Sequence, residues 1–287
     1  MTKISPFKFR KLDNIGAVSA EEDSDFLISC FVNTGDLDAL VNISGSYSIV
    51  VGRTGSGKTA LLSELCKLED RAIEVDPNVL SLQYISNSTI LRYFQNLGVD
   101  LDIFFKLLWR HVFIVEILRH YFKVNSQNDK ISLFERMRNV FKDGSHDKAI
   151  KYLENWGKKY WEDIEYRITD ITKEIENSLA IEAGFTLETF NAKVNSGQKA
   201  SLAERTELIH KAQSVVNKVQ IKELSEVLVM MNEILTDPQK KYFIVIDGLD
   251  EQWAEETIKY RLIRALIETV KDFRKVENAK IVVAARV

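Results

Sequence analysis

The run Gly52-Arg53-Thr54-Gly55-Ser56-Gly57-Lys58-Thr59 meets the pattern GxxxxGK[ST] at every fixed position. Glycines let such a loop turn back on itself, so that successive backbone N–H groups, here those of Arg53, Thr54, Gly55 and Ser56, point inward at phosphate oxygens. The lysine, Lys58, then reaches the β and γ phosphates of a nucleotide, and the Thr59 hydroxyl ligates magnesium. A second acidic run completes the chemistry. Asp247 follows the apolar segment Tyr242 to Ile246 and leads into Gly248-Leu249-Asp250-Glu251. A carboxylate at the C-terminal end of a hydrophobic strand can lie beside a phosphate loop and hold magnesium, directly or through its water shell. Asp250 and Glu251, just beyond, are candidates to orient or deprotonate the attacking water, with Asp250 slightly preferred. Arg286 follows a third apolar run, and if that strand lies between the other two, its guanidinium faces the γ phosphate. The expected ligands are ATP and Mg2+.

Positioning these groups requires strands that end at one edge of a sheet. Tyr47 to Val51, Tyr242 to Ile246 and Ile281 to Ala285 are short runs rich in Ile and Val, the pattern of parallel strands buried on both faces. A weaker run at Ala72 to Val75 ends at Asp76 and Pro77. Helix-forming Ala60 to Lys67 follows the phosphate loop, and Ile258, Leu262, Leu266, Val270 and Phe273 recur at helical spacing between the second and third strands. Strands alternating with helices imply an α/β fold, a three-layer P-loop core with a parallel sheet and a large helical insertion.

The chain divides on this reading into 1–85, an N-terminal segment with the first part of the core; 86–237, the helical insertion; and 238–287, the second part of the core. Only Pro6, Pro77 and Pro238 interrupt the chain as prolines, which leaves the middle free to be helical. Leu91, Phe94 and Leu97, then Leu101, Phe104, Phe105, Leu108, Trp109 and Val112, predict an apolar, buried helical pair. Ile164, Ile168, Ile171 and Ile175 form one coiled-coil-like seam. Leu208, Ala212, Val215 and Val219 form a second, continued by Leu224, Leu228, Met231 and Leu235. The polar turn at Asn195 to Ser201 and a capping box of Ser201 with Glu204 complete an expected antiparallel hairpin.

Composition narrows the class. The 287 residues are 45% hydrophobic and 28% charged with a net charge of −3, as in an ordinary globular protein without an overall basic field. Nucleic-acid contact would have to be local. Cys30 and Cys66 are far apart and form no CxxC pair, which argues against a disulfide framework or zinc site and fits a reducing, cytoplasmic setting. No secretion signal opens the chain. Leu101 to Leu118 is interrupted by Asp102, Lys106, Arg110 and Glu116, so it reads as a buried helix and not as a membrane span. His111, His120, His146 and His210 lack metal-ligand spacing.

The segments IVVGRTGSGKTALL, FIVIDGLDEQW and KIVVAARV together resemble bacterial STAND-like or KAP-like P-loop ATPases. The resemblance implies that Asp247 binds magnesium, that Asp250 or Glu251 assists hydrolysis, and that Arg286 contacts the γ phosphate. It covers the nucleotide core and leaves Ser86 to Asp237 unexplained. Relatives of this kind serve in anti-phage defence or DNA repair, a role carried over by analogy. Two departures stand out: Gly248 occupies the position directly after the magnesium aspartate where many P-loop ATPases carry the catalytic glutamate, and the chain stops one residue after Arg286, as the N-terminal part of a longer product would. The expected function is an ATPase coupling magnesium-dependent hydrolysis to a conformational switch, with a protein partner or a second copy of itself. The alternative is a non-hydrolysing nucleotide-binding module that assembles a complex through its helical insertion.

Overall fold

The computed structural model describes residues 31–78, most of 91–151, isolated positions between 173 and 210, and residues 221–286. Four strands, β1 (Ile49–Gly52), β2 (Ala72–Glu74), β3 (Tyr242–Ile246) and β4 (Ala279–Arg286), form one sheet in the order β1-β4-β3-β2, with every pairing parallel. The helices are α1 (Asp36–Val41), α2 (Lys58–Leu68), α3 (Asp102–Phe122), α4 (Asp129–Val140), α5 (Ile221–Ile234) and α6 (Glu256–Phe273).

Strand periodicity sorts side chains between two cores. Tyr242, Ile244 and Ile246 of β3, with Ala279, Ile281 and Val283 of β4, join the core built by α3, α5 and α6. Phe243, Val245, Val282 and Ala284 enter the opposite core, with Leu37 and Leu40 of α1 and Leu62 and Leu65 of α2. Successive residues of a strand point to opposite faces, so an unbroken apolar run is what a strand covered on both sides requires. The result is the three-layer α/β architecture expected from the sequence.

The helical stripe of α6 is buried at Ile258, Leu262, Leu266, Val270 and Phe273. Its partner is α3, which is apolar nearly all round, as a helix enclosed by protein must be. Trp109 of α3 lies fully inside and donates its indole N–H to the Leu262 carbonyl at 2.9 Å, which satisfies the one polar group of a large apolar side chain. Ion pairs of Arg110 with Asp272 and of Lys106 with Glu268 flank that contact. Among the described residues no helix is long and apolar enough to cross a membrane.

Strand ends depart from expectation in instructive ways. β4 starts two residues early because it contains Lys280, whose buried ammonium donates to the carbonyls of Ala39, Leu40 and Asn42 at 3.3, 2.8 and 2.7 Å. These carbonyls lie at the C-terminal end of α1, where a helix leaves acceptors unsatisfied. Burial, with a smaller contribution from Arg274, pulls Lys280 down to about 8. β1 corrects a second expectation: Ile49 and Val51 are 40% and 58% exposed, and so β1 is not buried on both faces. It is the edge of the sheet, paired with β4 alone among the described strands.

The segment between β2 and β3 reaches into the main core at both ends. Phe104, Phe105, Leu108, Trp109 and Val112 of α3 share that core with Leu228 and Met231 of α5 and with Leu235. Phe94, Leu97, the isoleucine seam from Ile164 to Ile175, the seam of Leu208, Ala212, Val215 and Val219, and the turn with its Ser201–Glu204 capping box lie outside the described residues.

Candidate functional site

β1 ends at Gly52 and α2 begins at Lys58, so the phosphate loop is the whole connection between them. Gly57 caps α2 at φ 85°, a left-handed conformation costing about 1–2 kcal/mol for a residue with a Cβ. The loop is also tight across its neck, since a Cβ on Gly52 would lie 2.3 Å from Ser56 Oγ. Ser56 N–H donates to the Arg53 carbonyl at 3.2 Å and closes the turn. Lys58 folds back over this loop, and its Nζ donates to the carbonyls of Gly52 and Arg53 at 3.1 Å each. The ammonium thus rests against the loop that it would share with a phosphate.

The acidic run leaves the C-terminal end of β3 in a turn. Asp247 Oδ1 accepts from the Gly248 N–H at 2.8 Å, and Glu251 N–H donates to the Gly248 carbonyl at 3.1 Å. Gly248 stands at φ 73°. The left-handed turn therefore explains why no glutamate follows Asp247, as a side chain there would be strained. Leu249 and Trp253 pin the turn from below: both are buried, and the Trp253 indole donates to the Leu249 carbonyl at 3.1 Å. The two acids beyond it take different partners. Asp250 Oδ2 lies 3.9 Å from Arg286 Nη1, whereas Glu251 Oε2 accepts from Asn78 Nδ2 at 2.8 Å.

Sheet order brings loop and turn together. β4 lies between β1 and β3, the condition under which Arg286 approaches the phosphate end, and the register sets Arg286 directly beside Gly52. A cleft of about 530 Å³ opens at the C-terminal ends of the strands, lined by Thr54, Gly55, Lys58, Thr59, Asp247, Gly248, Asp250 and Glu251. Open parallel sheets bind ligands at that edge. Arg53 and Arg286 do not line the cleft, and Gly52, Ser56 and Gly57 border a second cavity on the other flank of the loop.

Hard oxygen donors surround this cleft, which suits magnesium. Among the described residues no cluster of three or more acidic, histidine or cysteine side chains could cage a metal alone. Magnesium does not need such a cage, because it keeps most of its waters and takes one or two protein oxygens plus substrate phosphates. Thr59 and Asp247, both on the cleft wall, could supply those protein oxygens. On the same wall Glu74 faces Cys66, and burial first, then the neighbouring carboxylate, push the Cys66 thiol up to about 12. That shift disfavours the thiolate form that a nucleophile needs.

The KAP family P-loop domain model matches residues 38–285, which spans both halves of the cleft and everything between them. The chain belongs to the KAP family. No curated protein and no solved structure matches it. This KAP domain is thus a P-loop nucleoside-triphosphatase domain by family, and its segment between β2 and β3 lies within the family match. Among the cleft residues of the KAP domain that the sequence reading missed are Glu74, Asp76 and Asn78. They follow or end β2, and Asp76 Oδ1 accepts the Asn78 N–H at 2.8 Å. For Glu74 and Asp76 the signal was present in the acidic exit of a short apolar run, the same logic that singled out Asp247.

Proposed function

We propose that this KAP domain binds ATP with magnesium and hydrolyses it, and that turnover resets a conformational switch in a cytoplasmic complex with a protein partner or further copies of itself. The observation that carries the reading is the convergence of Lys58, Thr59 and Asp247 on one cleft with Asp250 and Glu251. Lys58 exchanges two loop carbonyls for phosphate oxygens, a gain in charge complementarity. Magnesium supplies charge neutralisation at the phosphates. Arg286 now pairs loosely with Asp250, so an arriving γ phosphate competes for the guanidinium and releases the carboxylate. Asp250 or Glu251 then takes the proton of the attacking water as the phosphoryl group passes to that water and ADP leaves.

A second reading has its own support. Gly248 denies the domain an acid directly after Asp247, and both nearby acids already have partners, which favours a nucleotide-binding module that assembles a complex without turnover. Phosphate release with and without magnesium separates the two, and adding DNA or RNA tests an anti-phage or repair role. On the first reading Lys58→Ala abolishes high-affinity ATP binding and Asp247→Asn removes magnesium-dependent release. Unchanged hydrolysis in both variants would overturn it.

A further inference from the structure

The second cavity, about 600 Å³, falls within the roughly 300–1,000 Å³ of typical small-molecule sites. Lys58 lines both cavities, while Gly52, Ser56 and Gly57 face the second and Thr54, Gly55 and Thr59 face the acidic cleft. The loop therefore stands as a rim between two chambers that differ in charge. Five carboxyl residues, Glu74, Asp76, Asp247, Asp250 and Glu251, line the first, which suits cation-bound phosphate. The second is lined by Tyr47, Ile49, Val51 and Leu61 and carries a single acidic residue, Asp36.

Exposure there is unusual for the residue types. Val51 is 58% exposed on the edge strand, where it shares one face with Ile49, and Tyr47, 66% exposed, lies two residues before that strand. The Ser48 carbonyl accepts from Val283 N–H, so the backbone groups of Ile49 and Val51 turn away from β4 toward the open edge. A flat, hydrogen-bonding aromatic ring would cover this surface without stranding those groups. Asp36 is held for such a ring, because the Thr34 hydroxyl donates to its Oδ2 at 2.6 Å and fixes the carboxylate. A carboxylate only accepts, so its partner must be a donor such as a ring amine.

We infer that this cavity is the nucleobase site: a base bearing an exocyclic amine stacks on Tyr47 and donates to Asp36, while its polyphosphate passes Lys58 into the acidic cleft. The inference rests on the nucleotide-binding reading above and assigns the nucleoside half that the phosphate loop does not hold.

Calorimetric titration with ATP and with tripolyphosphate, both in magnesium, tests it on the full chain. Stacking losses on removing an aromatic correspond to roughly 5- to 150-fold in affinity. Tyr47→Ala should weaken ATP by that factor and leave tripolyphosphate unchanged, Tyr47→Trp should keep ATP, and Lys58→Ala should weaken both ligands. Inosine triphosphate, which lacks the amine, should bind the wild-type chain more weakly than ATP and match it in Asp36→Ala. Wild-type ATP affinity in Tyr47→Ala, or equal loss of both ligands there, would overturn the assignment. A wild-type chain that binds neither ligand would overturn the nucleotide reading itself, and the assignment with it.

Discussion

Replacing Gly52 with alanine probes the tightest point of the phosphate loop. The added Cβ would sit 2.3 Å from Ser56 Oγ, 3.2 Å from Ser56 Cβ and 3.5 Å from Lys58 Cγ. The first contact is with the end of a rotatable side chain, which can turn away for about 0.5–1.5 kcal/mol. The second is with a carbon fixed to the backbone, so the loop itself must open by a few tenths of an ångström. Overpacking of this kind costs about 1–3 kcal/mol. Moving loop amides that must meet phosphate oxygens then adds a loss in affinity, on the order of tenfold for each 1.4 kcal/mol. Gly52→Ala should therefore lower the melting temperature by a few degrees and weaken ATP roughly tenfold to a hundredfold in calorimetric titration. Adding Ser56→Ala removes the 2.3 Å contact and leaves the 3.2 Å one. The double variant should thus recover part of both losses, giving a favourable coupling between the two sites. Wild-type melting and affinity in Gly52→Ala alone would refute the close approach on which the loop geometry depends.

Other groups give independent checks. Asp250→Asn combined with Glu251→Gln should keep ATP binding and stop phosphate release, whereas the single variants reveal which acid takes the proton; full turnover in the double variant would remove both from the chemistry. Burial pulls Lys280 down to about 8 in the folded chain, against about 10.4 for an ordinary lysine in the unfolded chain. Between those values the unfolded chain binds more protons, so the urea midpoint of the wild type relative to Lys280→Met should rise with pH from about 8 to about 10; a falling difference would contradict its burial. Cys66, pushed up to about 12, should hold about a thousandfold or more less thiolate at pH 8 than a free cysteine. In a Cys30→Ser background, alkylation by iodoacetamide at the rate of a free thiol would show that Cys66 is not shielded as described.

What could be read from the sequence follows from how local each cause is. The phosphate loop is a contiguous element with a strand before it and a helix after it, so its residues announce it. β3 is buried along its whole length and was legible as a plain apolar run. β1 carries the same composition, yet Ile49 and Val51 lie at a sheet edge, because strand position is set by residues more than two hundred positions away. Lys280 hid the start of β4, since its carbonyl partners at the end of α1 are distant in sequence. Asn78 is the clearest omission. Its contact with Glu251 joins residues 173 apart, and no local pattern distinguishes it from any asparagine in a turn.

Electrostatics ties the site together. The acidic cleft holds five carboxyl side chains against the single cation of Lys58 on its lining, a formal imbalance that repels a bare triphosphate. Charges about 4 Å apart at an effective dielectric near 20 interact by about 4 kcal/mol, so even one uncompensated contact of this kind would cancel about what a thousandfold affinity supplies. Arg286 offsets little of this, being more than half exposed and already beside Asp250. On the proposed reading, entry of the γ phosphate would require a divalent cation to accompany it, and the same carboxylates that repel the free anion would accept its magnesium complex. That reading predicts that the cleft selects the metal-bound nucleotide over the free one by the balance of its own charges.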